Sequence, residues 1–149
     1  MTAILSTTYY WQVIEVNEAE QPSAWAGPVW SFATADYVPI DDFESYTNDS
    51  PNRVFQTWID GIGFSPDEFF PQGNDGNGSG AAVGHDIWSV DSPHYGGTVI
   101  ETTTIHTGKQ SMPFYYDNTG ATYSETTRTF EAPQNWTLHG IKGLTLRFC

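Results

Sequence analysis

Short segments in which apolar and polar side chains alternate with a period of two set the class of fold open to this chain. Tyr9, Trp11 and Val13 would lie on one face of a strand, and residues 144–148 (Leu-Thr-Leu-Arg-Phe) alternate in the same way. Residues that favour helices are sparse, whereas Thr, Tyr, Val, Trp, Gly and Pro are abundant. The sequence therefore predicts an all-β protein without any α-helix longer than about two turns.

Turn-forming sequences separate the predicted strands. Residues 8–16 and 28–34 are joined by an acidic turn, and we expect them to pair as an antiparallel hairpin. The other predicted strands are residues 54–59, 98–105, 111–116, 122–130 and 144–148. Residues 117–120 (Asp-Asn-Thr-Gly) are predicted to be a hairpin connection, and the glycine-rich residues 72–80 a flexible loop.

The strong negative charge limits the partners that this chain can bind. Its 149 residues include 18 acidic and 5 basic ones, for a net charge of −13. Nucleic acid and anionic membrane surfaces need clustered Lys and Arg, but here the basic residues are scattered singly. They are Arg53, Lys109, Arg128, Lys142 and Arg147. No apolar run approaches the roughly 18–20 residues of a membrane span, so we expect neither nucleic acid nor membrane insertion. The acidity itself indicates either solubility or binding of divalent cations.

The composition indicates an extracellular protein. Charged residues make up 15% of the chain, against about 25% in typical globular proteins, and Thr, Ser, Asn and Gly take their place. Cys149 is the single cysteine, so an intrachain disulfide is impossible. Residues 1–8 lack the basic start and apolar core of a signal peptide. The expected location is therefore secreted or cell surface, with the signal outside this chain.

The first 35 residues resemble part of a known family. The segments LSTTYYWQVIEV and GPVWSFAT resemble the last two strands of a fibronectin type III-like domain. The residues that match its tyrosine-corner strand are Leu5, Thr7, Tyr9, Trp11 and Val13. In that family a tyrosine hydroxyl hydrogen-bonds to the upstream backbone, and a whole domain has about 100 residues. The resemblance implies that residues 1–35 are a C-terminal hairpin of such a domain and residues 36–40 a linker.

Residues 41–149 resemble a second family. The segments DDFESY, TWIDG, HTGKQSMPFYYDNTGATYSE and NWTLHGIKGLTL are similar to carbohydrate-binding modules of the galactose-binding-like type, which occur in large secreted bacterial proteins. The resemblance implies an antiparallel β-sandwich of the jelly-roll type. A late strand of the family, often Phe-Asp-Asp-Ile, has no counterpart here. The implied sandwich is therefore incomplete.

The same resemblance implies a structural calcium ion. In the family the glutamate of Asp-Phe-Glu, here Glu44, helps to bind calcium, and Phe43 enters the core. A Gly-Lys-Gln-Ser turn, here around Lys109, can contribute backbone oxygens. On a strand, Asp42 and Glu44 would share a face, so the predicted metal ligands are Asp42, Glu44 and Lys109. Calcium prefers 6–8 oxygens, and the late carboxylate is missing, so we expect a weak or incomplete site. The alternative is a solvated acidic start of a strand.

Exposed aromatic rings are the usual platform for sugars, because the apolar face of a sugar ring stacks on them. Trp88 and Tyr95 flank a loop rich in Gly, Ser, Asp and His, and are the best stacking candidates. Tyr115 is a third candidate, because Tyr115 and Tyr116 would point to opposite faces of a strand and at most one can enter the core. The tryptophans predicted to be core residues are Trp11 and Trp58.

The sequence carries no catalytic motif. The carboxylates of Asp60, Asp67, Glu68 and Asp86 have no spacing that selects a glycosidase pair. The histidines lack the spacing of metal sites and are predicted to be ordinary surface or turn residues. They are His85, His94, His106 and His139. No serine lies in a G-x-S-x-G context, so we do not expect an enzyme.

The leading hypothesis is a non-catalytic, carbohydrate-binding accessory module of a larger extracellular protein, present here as a fragment, with a polysaccharide or glycan as its partner. The alternative is a structural spacer or interaction β-sandwich of a multidomain surface protein, with no sugar ligand. If residues 144–148 form a strand whose neighbour is missing, its edge would template association. Cys149 beside that edge could cross-link two chains, so self-association is also predicted.

Overall fold

The computed structural model describes residues 4–148, and these divide into two compact units. One consists of Met1–Ile40 and Asn135–Leu144, and the other of Asp41–Gln134 and Thr145–Cys149. Within the described residues the only helices are α1 (Val54–Thr57) and a 3-10 turn (Leu138–Gly140). The prediction of an all-β chain with no long helix is therefore confirmed. None of the helices in this part of the chain is long and apolar enough to cross a membrane. The predicted division into fragments of two separate domains stays a prediction.

The first unit contains the predicted hairpin. Strands β1 (Thr8–Val16) and β2 (Ala24–Ala33) pair antiparallel, with Tyr9 opposite Phe32 and Trp11 opposite Trp30. The register shifts by a bulge between Gln12 and Ile14. The strand β2 begins earlier than the predicted residue 28, because the pairing continues beyond the bulge as far as Val16 and Ala24. Local alternation of side chains was enough to predict this element.

The aromatic face of the hairpin is exposed. Tyr9 stacks on Phe32 with ring centroids 5.4 Å apart, and Trp11 stacks on Trp30 at 4.5 Å. Trp11 is 51% exposed, so the prediction that it is a core residue is wrong. The reason is that two strands alone cover each other's side chains only along the cross-strand pairs. The Tyr9 hydroxyl also accepts a hydrogen bond from the backbone N–H of Ile4 at 2.7 Å.

The second unit has a small buried core and two short sheets. The strand β3 (Trp58–Ile59) pairs with β6 (Thr127–Arg128), and β4 (Ala81–Val83) pairs with β5 (Phe114–Tyr116), both antiparallel. The buried apolar cluster consists of Tyr46, Val54, Val83 and Ile100. Phe43, Phe55, Trp58 and Met112 are partly buried against it. Trp58 thus packs on the core, as predicted, without being fully enclosed.

Most of the strands predicted for this unit are shorter than expected or absent. Residues 54–57 form α1 because the Gln56 side chain accepts from the Arg53 N–H and closes a helical turn. Residues 98–105 contribute one bridge, Glu101 to Ser111, and residues 111–116 and 122–130 keep only β5 and β6. The reason is that distant partners pair with only two or three residues of each run.

The predicted strand over residues 144–148 is wrong as well. These residues have no assigned secondary structure in the described chain. The side chains of Leu144, Leu146 and Phe148 are all exposed. Alternation of apolar and polar residues does not make a strand where no neighbouring backbone is hydrogen-bonded to it. Self-association stays a prediction, but this strand edge does not support it, and Cys149 lies outside the described residues.

Two predicted loops also differ from the structure. Residues 72–80 were expected to be flexible, yet Phe64 and Asn74 bridge antiparallel. A Cβ on Gly63, which has φ +74°, would lie 2.0 Å from the carbonyl oxygen of Asn74, so this close approach requires glycine. Residues 117–120 are not a hairpin connection, because the strands on either side, β5 and β6, pair with β4 and β3 and not with each other.

Candidate functional site

The predicted metal ligands lie in a loop and not on a strand. Phe43 has φ +61°, a left-handed conformation that interrupts an extended strand, so Asp42 and Glu44 do not share one face of a strand as predicted. The Asp42 carboxylate accepts the Glu44 N–H at 3.1 Å. Glu44 Oε1 accepts the N–H groups of Lys109 at 2.8 Å and Gln110 at 3.1 Å. The structure does bring Glu44 and Lys109 together, because the Glu44 carboxylate holds the turn that contains Lys109.

This arrangement does not fit a calcium site. Calcium is bound by 6–8 oxygens, whereas the same Glu44 oxygen faces two N–H donors of the turn. The Asp42 carboxylate is directed to the backbone N–H of Glu44. In residues 4–148 no group of three or more His, Cys, Asp or Glu side chains is arranged to hold a metal ion. Calcium binding by Asp42, Glu44 and Lys109 therefore stays a prediction that this geometry does not favour.

Asp41, not Asp42 or Glu44, is the most constrained carboxylate of this loop. Its Oδ2 accepts hydrogen bonds from Tyr46 Oη at 2.6 Å and Trp58 Nε1 at 2.8 Å, and forms an ion pair with Arg128. Burial, with the hydrogen bond to Asp41, raises the pKa of Tyr46 to about 12. Four side chains therefore meet at one buried oxygen beside the core. This network fastens β3 and β6 to the loop and leaves no acceptor directed at a ligand.

Trp88 is half exposed, but its ring is occupied by protein neighbours. The Arg53 guanidinium lies over the ring, 5.4 Å from its centroid, and Phe55 meets it edge-on at 5.9 Å. The Asp86 carboxylate accepts the N–H of Trp88 and fixes the backbone there. A cation over an aromatic face uses the surface on which a sugar would stack. The structure thus gives Trp88 a packing role beside α1.

Tyr95 lies at a cavity, and Tyr115 contacts two of the histidines that line the same cavity. This cavity is an open depression rather than an enclosed chamber, and its volume is about 300 Å³, at the lower end for small-molecule sites. Tyr95 is 58% exposed there. The lining residues are His85, Pro93, His94, Tyr95, Gly97, Thr98, Ile100, Glu101, Thr102 and Thr103. Two of the three predicted stacking residues therefore belong to one place, and Trp88 is not among the residues that line it.

Two histidines form the wall of this cavity. The rings of His85 and His94 are stacked in parallel, with centroids 3.7 Å apart and an interplanar angle of 10°. His85 is buried two residues after the end of β4, and His94 lies in the following loop. The prediction that His85 is an ordinary surface or turn residue is wrong, because its ring is packed between His94 and the polar groups of Glu101 and Tyr115.

A continuous series of polar contacts runs through the pair. His85 Nε2 lies 3.3 Å from Glu101 Oε2, and His85 Nδ1 lies 2.6 Å from the Tyr115 hydroxyl. The same hydroxyl lies 3.3 Å from His94 Nε2. An ionised Glu101 can only accept, so His85 donates from Nε2 and a neutral His85 accepts the Tyr115 proton at Nδ1. The Tyr115 oxygen is then free to accept from His94.

The protonation states of these linked side chains follow from their surroundings. Hydrogen bonds from the backbone N–H groups of Thr103 and Thr104 lower the pKa of Glu101 to about 2. Burial, and then the neighbouring His94, lowers the pKa of His85, with Glu101 opposing. Burial, reinforced by the charge of Glu101, raises the pKa of Tyr115. Near neutral pH the wall therefore consists of a carboxylate, a neutral His85 imidazole and a protonated phenol.

This arrangement is suited to hydrogen bonding and not to nucleophilic chemistry. Glu101, His85 and Tyr115 are joined in the order carboxylate, imidazole, hydroxyl, which can activate a nucleophile. A raised pKa of Tyr115 means that even less of the nucleophilic phenolate forms near neutral pH than usual, however. Glu101 is the one carboxylate among the described residues that line the cavity, and glycoside hydrolysis commonly needs two. The lining residues therefore present hydrogen-bond acceptors and donors beside the exposed ring of Tyr95.

Sequence reasoning missed the histidine wall. His85, His94, Glu101 and Tyr115 follow no fixed spacing, and they meet because β4 pairs with β5 and Glu101 bridges to Ser111. No local pattern reports such pairings. The one available signal was the position of His94 next to Tyr95 in a loop rich in Ser, Gly and Asp, which was used only for the tyrosine.

Comparison with protein-family models, with curated proteins and with solved structures finds no match for this chain.

Proposed function

We propose that this chain is a non-catalytic carbohydrate-binding module of a larger extracellular protein, and that one sugar unit binds in the cavity beside Tyr95. The observation that carries the proposal is the exposed Tyr95 ring at the edge of a cavity with polar walls. Small-ligand sites combine an apolar or aromatic surface with a few fixed polar groups. Here the fixed groups are His85, His94 and Glu101, each held by its neighbours.

The finer fold belongs to the same proposal. We propose that the second unit is of the β-sandwich, jelly-roll type and that the hairpin is of the fibronectin type III-like kind. The antiparallel pairing of β3 with β6 and of β4 with β5 supports the first. The hydrogen bond from the Ile4 N–H to the Tyr9 hydroxyl, at 2.7 Å, supports the second, because a tyrosine corner has this bond.

The spacer alternative predicts a different surface. A module that only separates other domains has no need of a stacked histidine pair whose hydrogen-bond partners are fixed on both sides. Buried polar networks cost free energy unless every member is satisfied. The described side chains leave no buried nitrogen or oxygen atom without a partner. The exposed Tyr95 ring at a cavity lined by these fixed polar groups supports binding over spacing.

The test is affinity electrophoresis of the full chain in gels that contain single polysaccharides, followed by titration calorimetry with the ones that retard it. Tyr95→Ala should weaken binding about tenfold, which corresponds to about 1.4 kcal/mol. Tyr116→Ala is the matched control, because Tyr116 is an exposed tyrosine that does not line the cavity. Trp88→Ala should lower stability without removing binding, because its ring packs on Phe55 and Arg53.

Retardation that survives Tyr95→Ala and disappears in Trp88→Ala would place the ligand elsewhere. If a broad panel of polysaccharides gives no retardation of the folded chain, the spacer hypothesis is the better one. Near-ultraviolet circular dichroism of each variant separates loss of a ligand contact from loss of the fold.

A further inference from the structure

The cavity carries one fixed negative charge at its wall. Glu101 Oε1 accepts the backbone N–H groups of Thr103 and Thr104, and Oε2 faces His85 Nε2 at 3.3 Å. These bonds hold the carboxylate in place while its residue lines the cavity. A carboxylate held by backbone donors stays ionised well below neutral pH. Any ligand in this cavity therefore meets a charge that cannot move away.

Among the described lining residues no permanently charged cation balances this charge. The lining includes neither Lys nor Arg. Both nitrogens of His85 are used, one by Glu101 and one by Tyr115. A proton on His85 would also lie against His94, whose ring is stacked 3.7 Å away. The chain as a whole carries a net charge of −13, so the long-range field opposes anionic ligands as well.

The same groups are suitable for hydroxyls. An ionised carboxylate accepts strong hydrogen bonds from O–H donors, and the threonines that line the cavity, Thr98, Thr102 and Thr103, can donate or accept. The Tyr95 ring supplies the flat apolar surface for the C–H face of a sugar. A uronic acid or a sulfated sugar would bring a second negative charge close to Glu101, where repulsion is only partly screened.

We propose, on the basis of the function above, that the cavity selects an uncharged sugar unit over uronic acids and sulfated sugars, and that Glu101 is the residue that determines this specificity. Amine-bearing sugars are compatible with the site, because the ammonium group is attracted to the same carboxylate. The proposal concerns the class of the sugar and leaves its stereochemistry to the measurement.

The test uses pairs of sugars that differ only at carbon 6. Galactose is compared with galacturonate and glucose with glucuronate by ligand-observed NMR on the full chain near neutral pH. For the pair that contains the better neutral ligand, we expect the uronate to bind at least about tenfold more weakly at low salt. High salt should shrink the difference in the wild-type chain, since screening acts on the repulsion and not on the stacking.

Glu101→Gln should raise the affinity for the uronate nearly to that for its neutral counterpart, and Tyr95 should still be required for binding. Glu68→Gln is the matched control, because it removes the same charge from an exposed residue that does not line the cavity. The salt comparison needs no substitution, so it decides the question even if Glu101→Gln fails to fold. Stronger binding of uronates that depends on Tyr95 would overturn this inference and keep the proposed function. Absence of binding to every sugar and polysaccharide would overturn both.

Discussion

The hairpin and the second unit differ in what holds their backbones in place. In the hairpin, β1 and β2 pair along nearly their whole length, and many of their large apolar side chains remain exposed. In the second unit, strands have only two or three residues, and side chains hold the loops between them. The Asp60 carboxylate, for example, accepts the N–H groups of Ile62, Gly63 and Val83.

The difference shows how a polar, glycine-rich sequence can be ordered. Buried backbone N–H groups need partners, and short polar side chains can supply them in place of a sheet. Asn48 accepts from the Val99 N–H and donates to the Gly97 carbonyl, and Asn77 donates to the carbonyls of Ile59 and Glu125. Two asparagines thus connect segments far apart in the sequence. Such loops are fixed by specific side chains, and single substitutions should loosen them.

The largest effect is expected at Asp60. The residue is buried, and Asp60→Asn replaces one of its acceptor oxygens by an NH₂ group that faces backbone N–H donors. We expect the free energy of unfolding of the second unit to fall by about 3 kcal/mol or more, because hydrogen bonds to a buried charge are lost. Urea denaturation followed by tryptophan fluorescence measures the change.

The hairpin provides the contrast for this substitution. The Asn17 side chain accepts one hydrogen bond, from the Ala19 N–H at 3.1 Å in the exposed turn, and Asn17→Ala should cost about 0.5 kcal/mol or less. Asp75→Asn, at an exposed position of the second unit, controls for the loss of charge. If Asp60→Asn unfolds at the same urea concentration as Asp75→Asn, the carboxylate does not hold the loops as described.

A smaller effect is expected from a matched pair of valines. Val54 is fully buried, at 0% exposure in α1, whereas Val29 is 61% exposed on β2. Val54→Ala should lower stability by about 2 kcal/mol through the cavity that it leaves, even though Ala is the better helix former. Val29→Ala should stay within about 0.5 kcal/mol. Similar losses in the two variants would mean that the hairpin is buried in solution.

Sequence reasoning predicted the hairpin because its partner strands are neighbours along the chain. The alternation of Tyr9, Trp11 and Val13 and the turn that follows contain nearly all the information needed. In the second unit the same reasoning predicted strands at 54–59 and 98–105, of which the structure contains only β3 and a single bridge at Glu101. There the backbone is governed by side chains such as Gln56 and Asp60, whose partners are set by tertiary packing.

The candidate site was predictable to the same limited extent. Exposure of Tyr95 followed from its flanking loop, but the covering of Trp88 by Arg53 did not, because that contact joins residues distant in the sequence. The joining of His85 to Glu101 depends on β4, β5 and a single bridge. Chemistry that is assembled from four separate segments leaves no motif in any one of them.

The pH dependence of stability should also distinguish the two regions. The pKa of His85 is lowered from 6.5, so its contribution to stability is present above pH 6.5 and is lost as the pH falls below that value. The pKa of Glu101 is lowered from 4.5 to about 2, so its contribution is lost as the pH falls from 4.5 towards 2. Both signs predict that acid loosens the second unit.

Amide exchange measured from neutral to acidic pH checks this directly. After correction for intrinsic rates, protection of Val83 and Ile100, in the core beside His85, should fall in these two windows. Glu101→Gln should flatten the lower window and extend the upper one to lower pH, because the carboxylate that opposes the lowering of the His85 pKa is removed. Protection that rises on acidification would show that the assigned protonation states of His85 and Glu101 are wrong.

The smallest effect is expected within the hairpin. Trp30 and Trp25 are both 40% exposed on β2, but Trp30 stacks on Trp11 at 4.5 Å whereas Trp25 lies opposite Glu15. A cross-strand aromatic pair contributes about 1 kcal/mol beyond its buried area. Trp30→Ala should therefore speed amide exchange in the hairpin about fivefold, since 1 kcal/mol is a factor of about five, and Trp25→Ala should change it less. Equal acceleration by the two substitutions would mean that the hairpin depends on backbone pairing alone, and that its aromatic face is available to another surface without cost to its own stability.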